Sequence, residues 1–347
     1  MKIPIANVYY LLCYAWRHLE ESNVVDVKEL DRFDHVQDLL GKVLAEGTFH
    51  LVRRGIDRGY IETREDLAGV RGKLAISEMA KRALRARGRA ACVFEELTHD
   101  VHHNRVLKST LGGLLKLPDL APEVRTEVGL AFRKLQGISI IRVNRQAFRQ
   151  IQLDRNRRLY RFLLAICELI HNQVLIDRKS GKARFVDFRR SRATMWKLFE
   201  DFVTEFYRAE QTDYSVNRWG RTIPWHDAWA PTESDLSRIP RMEADLLLDS
   251  PHRRIVLDTK FYPQALSGKG STHKLHSTNL YQLLAYLRNR QATMPDGPPH
   301  DGILLYTVVG HPIGIEVRLE GFRIQARGID LAQPWQQIHE DMLGVLG

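Results

Sequence analysis

Residues 241–262 read RMEADLLLDSPHRRIVLDTKFY. Two apolar runs, Leu246 to Leu248 and Ile255 to Leu257, flank Ser250-Pro251-His252-Arg253, a composition that favours a turn, so the segment reads as a β-hairpin. With a four-residue loop, Asp249 faces Arg254, and the antiparallel register sets Asp245 opposite Asp258 with Cβ atoms roughly 5 Å apart. Side chains alternate along a strand, which puts Lys260 on the face of Asp258 and turns Ala244, Leu246, Leu248, Ile255 and Leu257 to the other. One more residue in the loop would separate the two aspartates.

Carboxylates held that close repel one another, and burial raises both pKa values unless a cation lies between them. A hard divalent ion with oxygen ligands meets that need. Mg²⁺ keeps several of its waters, and an ammonium such as that of Lys260 stabilises charge developing on a phosphoryl group. The chemistry suited to this combination is phosphodiester hydrolysis. The competing reading is of two strand-end aspartates, one of them paired with Lys260 or Arg254.

Working outward, the sequence from residue 193 gives a helix (TMWKLFEDFVTEFYRAEQ), an extended piece around 213–222, the hairpin, a helix (STNLYQLLAYLRNR), a strand (GILLYTVV), further extended sequence and a final helix (PWQQIHEDMLGVL). Strands apolar on both faces need cover on both sides, so a mixed sheet between helices is expected. Upstream, helices at about 6–20, 35–53, 103–117 and 122–136 alternate with extended pieces at YIETREDL, VRGKLAI and RAACVFEEL, which suggests an α+β domain over residues 1–150. A helix at about 156–174 and a basic connector occupy residues 151–192, and the second domain covers 193–347.

On the helix after the hairpin, Asn279, Gln282 and Tyr286 fall at i, i+3 and i+7 on one face, with Leu280, Leu283, Leu284 and Leu287 on another. On the helix before it, Leu198, Phe199, Phe202, Val203 and Phe206 make an apolar stripe flanked by Glu200 and Glu205. Glu243 shares the Asp245 face and is a weaker acidic candidate.

The chain has 347 residues, 44% of them hydrophobic, which excludes a disordered protein. Its net charge of +10 fits a polyanionic partner, because basic side chains displace counterions condensed on phosphates. Three scattered cysteines form no C-x-x-C, which argues against a disulfide framework or a structural zinc site and for a reducing cytoplasm. The opening MKIPIANVYYLLCYAWRHLEE is interrupted by Asn7, Arg17 and His18 and reads as a helix of the fold, not as a membrane segment. GVRGKL and SGKGST lack the spacing of a phosphate-cradling loop, so no nucleotide is expected on this chain, and no base-reading motif is visible. Metal-capable THDVHHN, with His99, Asp100, His102 and His103, reads as a surface cap. His273 and His276, ahead of the Gln282 helix, could approach DNA phosphate together with Asn279. Arg71 and Lys73 are candidate contacts to an acidic partner surface.

The set Asp245, Asp258 and Lys260, on adjacent strands in an α-β-β-β-α-β order, resembles the PD-(D/E)xK nuclease superfamily, although Pro240 is near Asp245 and not next to it. Gln282-x-x-x-Tyr286 resembles the Q-x-x-x-Y element of its RecB-like members. Over nearly all the chain, IPIANVYYLLCYAW, GVRGKLAISEMAKR, NRVLKSTL, PRMEADLLL, LDTKFY and HSTNLYQLLAYL resemble the McrC family of the McrBC modification-dependent restriction systems.

That resemblance implies a restriction-endonuclease-like C-terminal domain. In it Asp245, Asp258 and the Thr259 main-chain carbonyl would hold one or two Mg²⁺ ions. Lys260 would be catalytic, Glu200 (or alternatively Glu205) would lie near the metal, and Gln282 and Tyr286 would support the site and contact DNA. It also implies an N-terminal domain that engages a McrB-like AAA+ GTPase hexamer and stimulates its GTP hydrolysis. The substrate would be double-stranded DNA carrying modified cytosine, read by the partner. The alternatives are a stand-alone RecB-like repair nuclease and a regulatory or DNA-binding subunit with an inactive core.

Overall fold

The computed structural model describes residues 3–19, 24–30, 32–154, 156–176, 183–217, 222–262, 266–267, 274–308 and 313–347. The chain forms two compact units, Met1–Ser22 with Asp26–Asp34 and Asp187–Gly347, and Asn23–Val25 with His35–Val186. These limits differ from a simple division into 1–150, 151–192 and 193–347. The N-terminal helix belongs with the C-terminal part, and the helix and basic connector belong almost wholly with what precedes them.

Helix α1 (Ile5–Ala15) explains the first difference. Val8, Leu11 and Cys13 are fully buried, and so are Phe202 and Phe206 in the same unit, whose rings meet that of Tyr14. Asn7, which interrupts the apolar run, is 3% exposed. Its Nδ2 donates to the main-chain oxygens of Leu331 (2.9 Å) and Gln333 (2.8 Å), so the polar residue is an anchor of the helix.

The second unit contains α2 (Val36–Arg54), β1 (Gly59–Leu67), β2 (Lys73–Leu74), β3 (Ala90–Thr98), α3 (His102–Leu114), α4 (Pro122–Lys134) and α5 (Arg158–Gln173). Helix α2 packs against α4 and α5, and the strands make a small antiparallel sheet in the order β1-β3-β2. Gly72, just before β2, has φ +68°, and a Cβ there would meet Val93 O at 2.4 Å. Only glycine fits that turn.

The first unit resumes with α6 (Arg192–Glu210), whose N-terminus is capped by Ser191 Oγ accepting from Thr194 N. There follow β4 (Ser215–Asn217), β5 (Thr222–Ile223), β6 (Met242–Glu243), β7 (Leu246–Asp249), β8 (Arg254–Lys260), α7 (Ser277–Thr293), β9 (His300–Val308), β10 (Gly314–Leu319), β11 (Phe322–Asp330) and α8 (Trp335–Gly344). Six of these strands form a mixed sheet in the order β10-β11-β9-β8-β7-β4. β8 and β9 are parallel, and α7 supplies the crossover that a parallel pair requires.

Both sheet faces are covered, as the doubly apolar strands demand. Leu247 and Val256 share one apolar cluster with Leu283 and Leu287 of α7. The alternate residues Leu246, Leu248, Ile255 and Leu257 are fully buried on the other face, and α6 packs against β8 and β4. Gly302 of β9 sets the approach of α7, since a Cβ there would meet methyl groups of Leu283 and Leu287 at 2.8 and 2.9 Å. Among the described residues no helix is long and apolar enough to cross a membrane, and the three cysteines are free and buried.

Asn7→Ala should destabilise the first unit by about 1–3 kcal/mol, because the buried Leu331 carbonyl and the half-buried one of Gln333 lose their donor. Urea unfolding followed by tryptophan fluorescence measures it; stability unchanged within about 0.5 kcal/mol would show that α1 does not anchor the unit.

Candidate active site

The hairpin forms with a four-residue loop, Ser250 N donating to Arg253 O at 2.9 Å. Pairing runs from Asp249 opposite Arg254 to Leu246 opposite Leu257. The next position in that register sets Asp245 against Asp258, as the loop length requires. The ladder itself stops at Leu246, and Asp245 occupies the break between β6 and β7. Its Oδ2 accepts from Thr259 N (2.7 Å) and Thr259 Oγ1 (2.6 Å). Ala244 differs from expectation: it packs in the cluster of Leu247 and Val256, because strict alternation fails where the strand breaks at Asp245.

Electrostatically this is a costly place for two acids. Asp258 is 2% exposed. Burial and the charge of Asp258 push the Asp245 carboxyl up to about 6, against the lowering effect of its Thr259 bonds. Burial also raises Asp258, opposed by the Lys260 ammonium, and the charge of Glu200 raises both.

Lys260 Nζ makes an ion pair with Asp258 and donates to Gln282 Oε1 at 3.1 Å. Gln282 Nε2 donates to the Tyr286 hydroxyl (2.8 Å), which donates to Glu243 O (3.0 Å). Helical spacing of four residues brings Gln282 and Tyr286 together on α7. One chain of hydrogen bonds thus ties the lysine to the main chain beside Asp245. Asn279 is 4% exposed, donating to the Tyr306 hydroxyl (3.1 Å) and accepting from that of Tyr262 (3.4 Å), so its amide braces two tyrosines. His276 sits at the N-terminus of α7 with its ring centroid 5.4 Å from that of Tyr262; His273 lies outside the described residues.

Asp245, Asp258, Lys260, Asn279 and Gln282 line one cleft of about 850 Å³. Its other wall is α6, through Arg192, Trp196, Lys197 and Glu200. Of the two glutamates considered on α6, Glu200 is therefore the one at the site, and Glu243 lines the cleft as well. Glu205, five residues on and about 140° round the helix, is 4% exposed and pairs with Arg17 and Arg208, both at 2.7 Å. Sequence reading passed over Arg192, Trp196 and Lys197. Their signal was spacing, since Arg192 and Trp196 precede Glu200 by eight and four residues along one helix face.

Other sequence candidates are not among the residues that line this cleft. Arg71 and Lys73 are exposed residues of the second unit, and the Arg71 guanidinium lies 4.0 Å from the Phe94 ring centroid. The histidines of THDVHHN do not converge on one point; His99 and His102 are half-buried beside main-chain oxygens, and His103 is buried beside the Asp57 carboxylate. His99 Nδ1 lies 3.2 Å from Asp57 O, His102 Nε2 lies 2.8 Å from Ala147 O, and His103 is pushed down to about 4 by burial.

The pair Asp245 and Asp258 has the chemistry of a hard-cation site. Both carboxyls are raised by burial, and the buried Asp258 Oδ2, although beside the Lys260 ammonium, accepts no well-directed hydrogen bond. Among the described residues no three His, Cys, Asp or Glu side chains form a ready ligand set. Further ligands would be main-chain, water or substrate oxygens, which Mg²⁺ ordinarily takes.

Comparison with known proteins places the chain. It is similar to the type IV methyl-directed restriction enzyme EcoKMcrBC of Escherichia coli (strain K12), 32% identical over 343 residues, covering 99% of this chain and 97% of the relative. Its fold is similar to that of a chain in a refined half-complex from a tetradecameric assembly of Thermococcus gammatolerans McrB AAA+ hexamers with bound McrC. That match has a TM-score of 0.61 at 17% identity and covers 99% of this chain and 75% of the other. A model of the McrBC 5-methylcytosine restriction system components matches residues 7–307, and the chain belongs to that family.

Proposed function

We propose that this chain is the endonuclease subunit of a GTP-dependent, modified-cytosine-directed restriction complex, with a PD-(D/E)xK nuclease as its first unit. The observation that carries the reading is the meeting of Asp245, Asp258 and Lys260 in one cleft. The order of α6, the β7–β8 hairpin, α7 and parallel β9 supports the superfamily assignment.

Asp245 and Asp258 would hold Mg²⁺, with the Thr259 carbonyl beside them. The bound ion supplies charge neutralisation at the phosphoryl oxygens. Lys260 adds a positive charge near the phosphate under attack, where charge develops in the transition state. Gln282 accepts a hydrogen bond from the lysine, and Tyr286 holds Gln282 on Glu243 O, so the ammonium is fixed before substrate arrives. Glu200 adds a third negative charge to the cation side of the cleft.

The solved relative contains McrB AAA+ hexamers with bound McrC, and this chain would serve as the McrC of such a pair, its second unit engaging a McrB-like GTPase and stimulating GTP hydrolysis. Tyr60, Val70 and Ile76, on and around the β1-β3-β2 sheet, are 71%, 70% and 73% exposed, which suits an interaction surface. The partner would read the modified base and bind the nucleotide. The intact acidic pair with its tethered lysine favours this reading over an inactive regulatory subunit.

Asp258→Ala and Lys260→Ala should each lower cleavage of methylated DNA by roughly 100-fold or more in the presence of the partner, GTP and Mg²⁺. Both variants should still stimulate the partner's GTP hydrolysis. Cleavage at the wild-type rate by either would remove the nuclease assignment.

Protons should compete with the metal. In the metal-free folded chain Asp245 ionises near 6, against 3.8 ordinarily, so apparent Mg²⁺ affinity should fall as the pH is lowered through about 6. With EDTA the folded state binds this proton more tightly than the unfolded one. Stability from this group is therefore present at low pH and is lost as pH rises from about 4 to about 6, by on the order of 2 kcal/mol. Asp245→Asn should flatten that dependence; an unchanged profile would locate the titration elsewhere.

Substituting Arg71 and Lys73 together by Ala should weaken GTPase stimulation, with cleavage falling only in proportion. Full stimulation by this variant would exclude the Gly72 turn from the partner contact.

A further inference from the structure

The α6 wall of the cleft carries an aromatic residue that no part of the proposed chemistry uses. Trp196 is 47% exposed and lines the cleft. A tryptophan so placed leaves a large apolar face in water, and it lies one helical turn, about 6 Å along the axis, from Glu200. Its aromatic neighbours in sequence behave differently, for Phe199 and Phe202 are fully buried.

Two cations accompany it. Arg192, one turn earlier on the same helix face, is exposed, and among the described residues it pairs with no carboxylate; its guanidinium lies 4.6 Å from the ring centroid of Tyr262. Lys197 is 59% exposed and shared between Glu200 (3.3 Å) and Asp201 (3.0 Å). An arginine spread over an aromatic ring keeps its donors for an anion, because the ring satisfies the flat face and leaves the edge open. The wall thus presents a cation, then an aromatic face, then the acidic centre, in the order in which a nucleic acid strand presents phosphate, base and next phosphate.

We propose that Trp196 is a stacking platform for the base adjoining the scissile phosphodiester, with Arg192 seating the neighbouring phosphate. The inference rests on the nuclease reading of the cleft and deepens it, because a base stacked on Trp196 is unstacked from its own strand. The cleft therefore takes DNA that is locally unpaired at the point of cleavage. Trp196 is a positioning residue: it sets which phosphodiester lies over Asp245 and Asp258.

The test uses the full-length chain, in Ca²⁺ to suppress cleavage, and two probes of equal length: an oligothymidylate and an oligomer of abasic sugar phosphates. Wild-type protein should bind the base-bearing strand about 5- to 100-fold more tightly, the range that one stacked base provides. Trp196→Ala should bind both probes alike, Trp196→Phe should keep most of the preference, and Arg192→Gln should weaken both probes together. Circular dichroism shows that each variant is folded. A preference unchanged in Trp196→Ala, or equal or absent binding of the two probes by wild type, overturns the proposal. Failure of the nuclease reading looks different: Asp258→Ala would then cleave normally, whatever the probes show.

Discussion

Two neighbouring carboxyls whose pKa values burial raises, that of Asp245 further by the charge of Asp258, set the conditions for the rest of the first unit. Asp245 and Asp258 would be cheaper apart or exposed. They stay together because the hairpin register brings them together and Thr259 locks one of them with two hydrogen bonds. The Lys260 ammonium offsets part of the excess negative charge, and Glu200 adds to it. On the proposed reading a cation would relieve that imbalance, and the raised carboxyls would be the cost of being ready for one.

The surrounding architecture keeps this cluster in place. Lys260 is flexible by nature, with a long unbranched stem, so its position needs an external restraint. Gln282 supplies that restraint only if α7 lies at the right depth on the sheet, and Gly302 permits that depth by leaving room for Leu283 and Leu287. A methyl group on β9 would thus be felt at the lysine through two leucines and a glutamine. The packing of a glycine and the position of the Lys260 amine are one problem here.

Much of this could be read from sequence because the informative signals are local. A four-residue loop fixes the register of Asp245 against Asp258, and helical spacing fixes Gln282 against Tyr286. What sequence reading missed is non-local or broken. The strand interruption at Asp245 moved Ala244 to the other apolar cluster, which no alternation rule anticipates. Asn7 looked like an interruption of an apolar helix, since its carbonyl partners lie more than three hundred residues away. Trp196 read as part of an amphipathic helix, since exposure at a cleft is a property of the assembled wall.

The position of Asn7 also bears on how one chain holds two compact units. The chain leaves the first unit after Asp34 and returns at Asp187. Arg189 sits at the return, donating to Asp34 O at 2.9 Å and to Ile3 O at 3.3 Å while its guanidinium is held by Asp187. Departure and return are therefore pinned at one spot, the arrangement in which a compact unit is inserted into another with little strain on the host. The host cannot close its core until α1, made first, meets α6 and the Leu331 turn, made last, whereas the inserted unit is one continuous stretch apart from three residues. Local contacts form faster than distant ones, so the inserted unit should fold before the cleft-bearing unit closes. The apolar stretch IPIANVYYLLCYAW, although N-terminal, is on this view a constraint of the cleft-bearing unit.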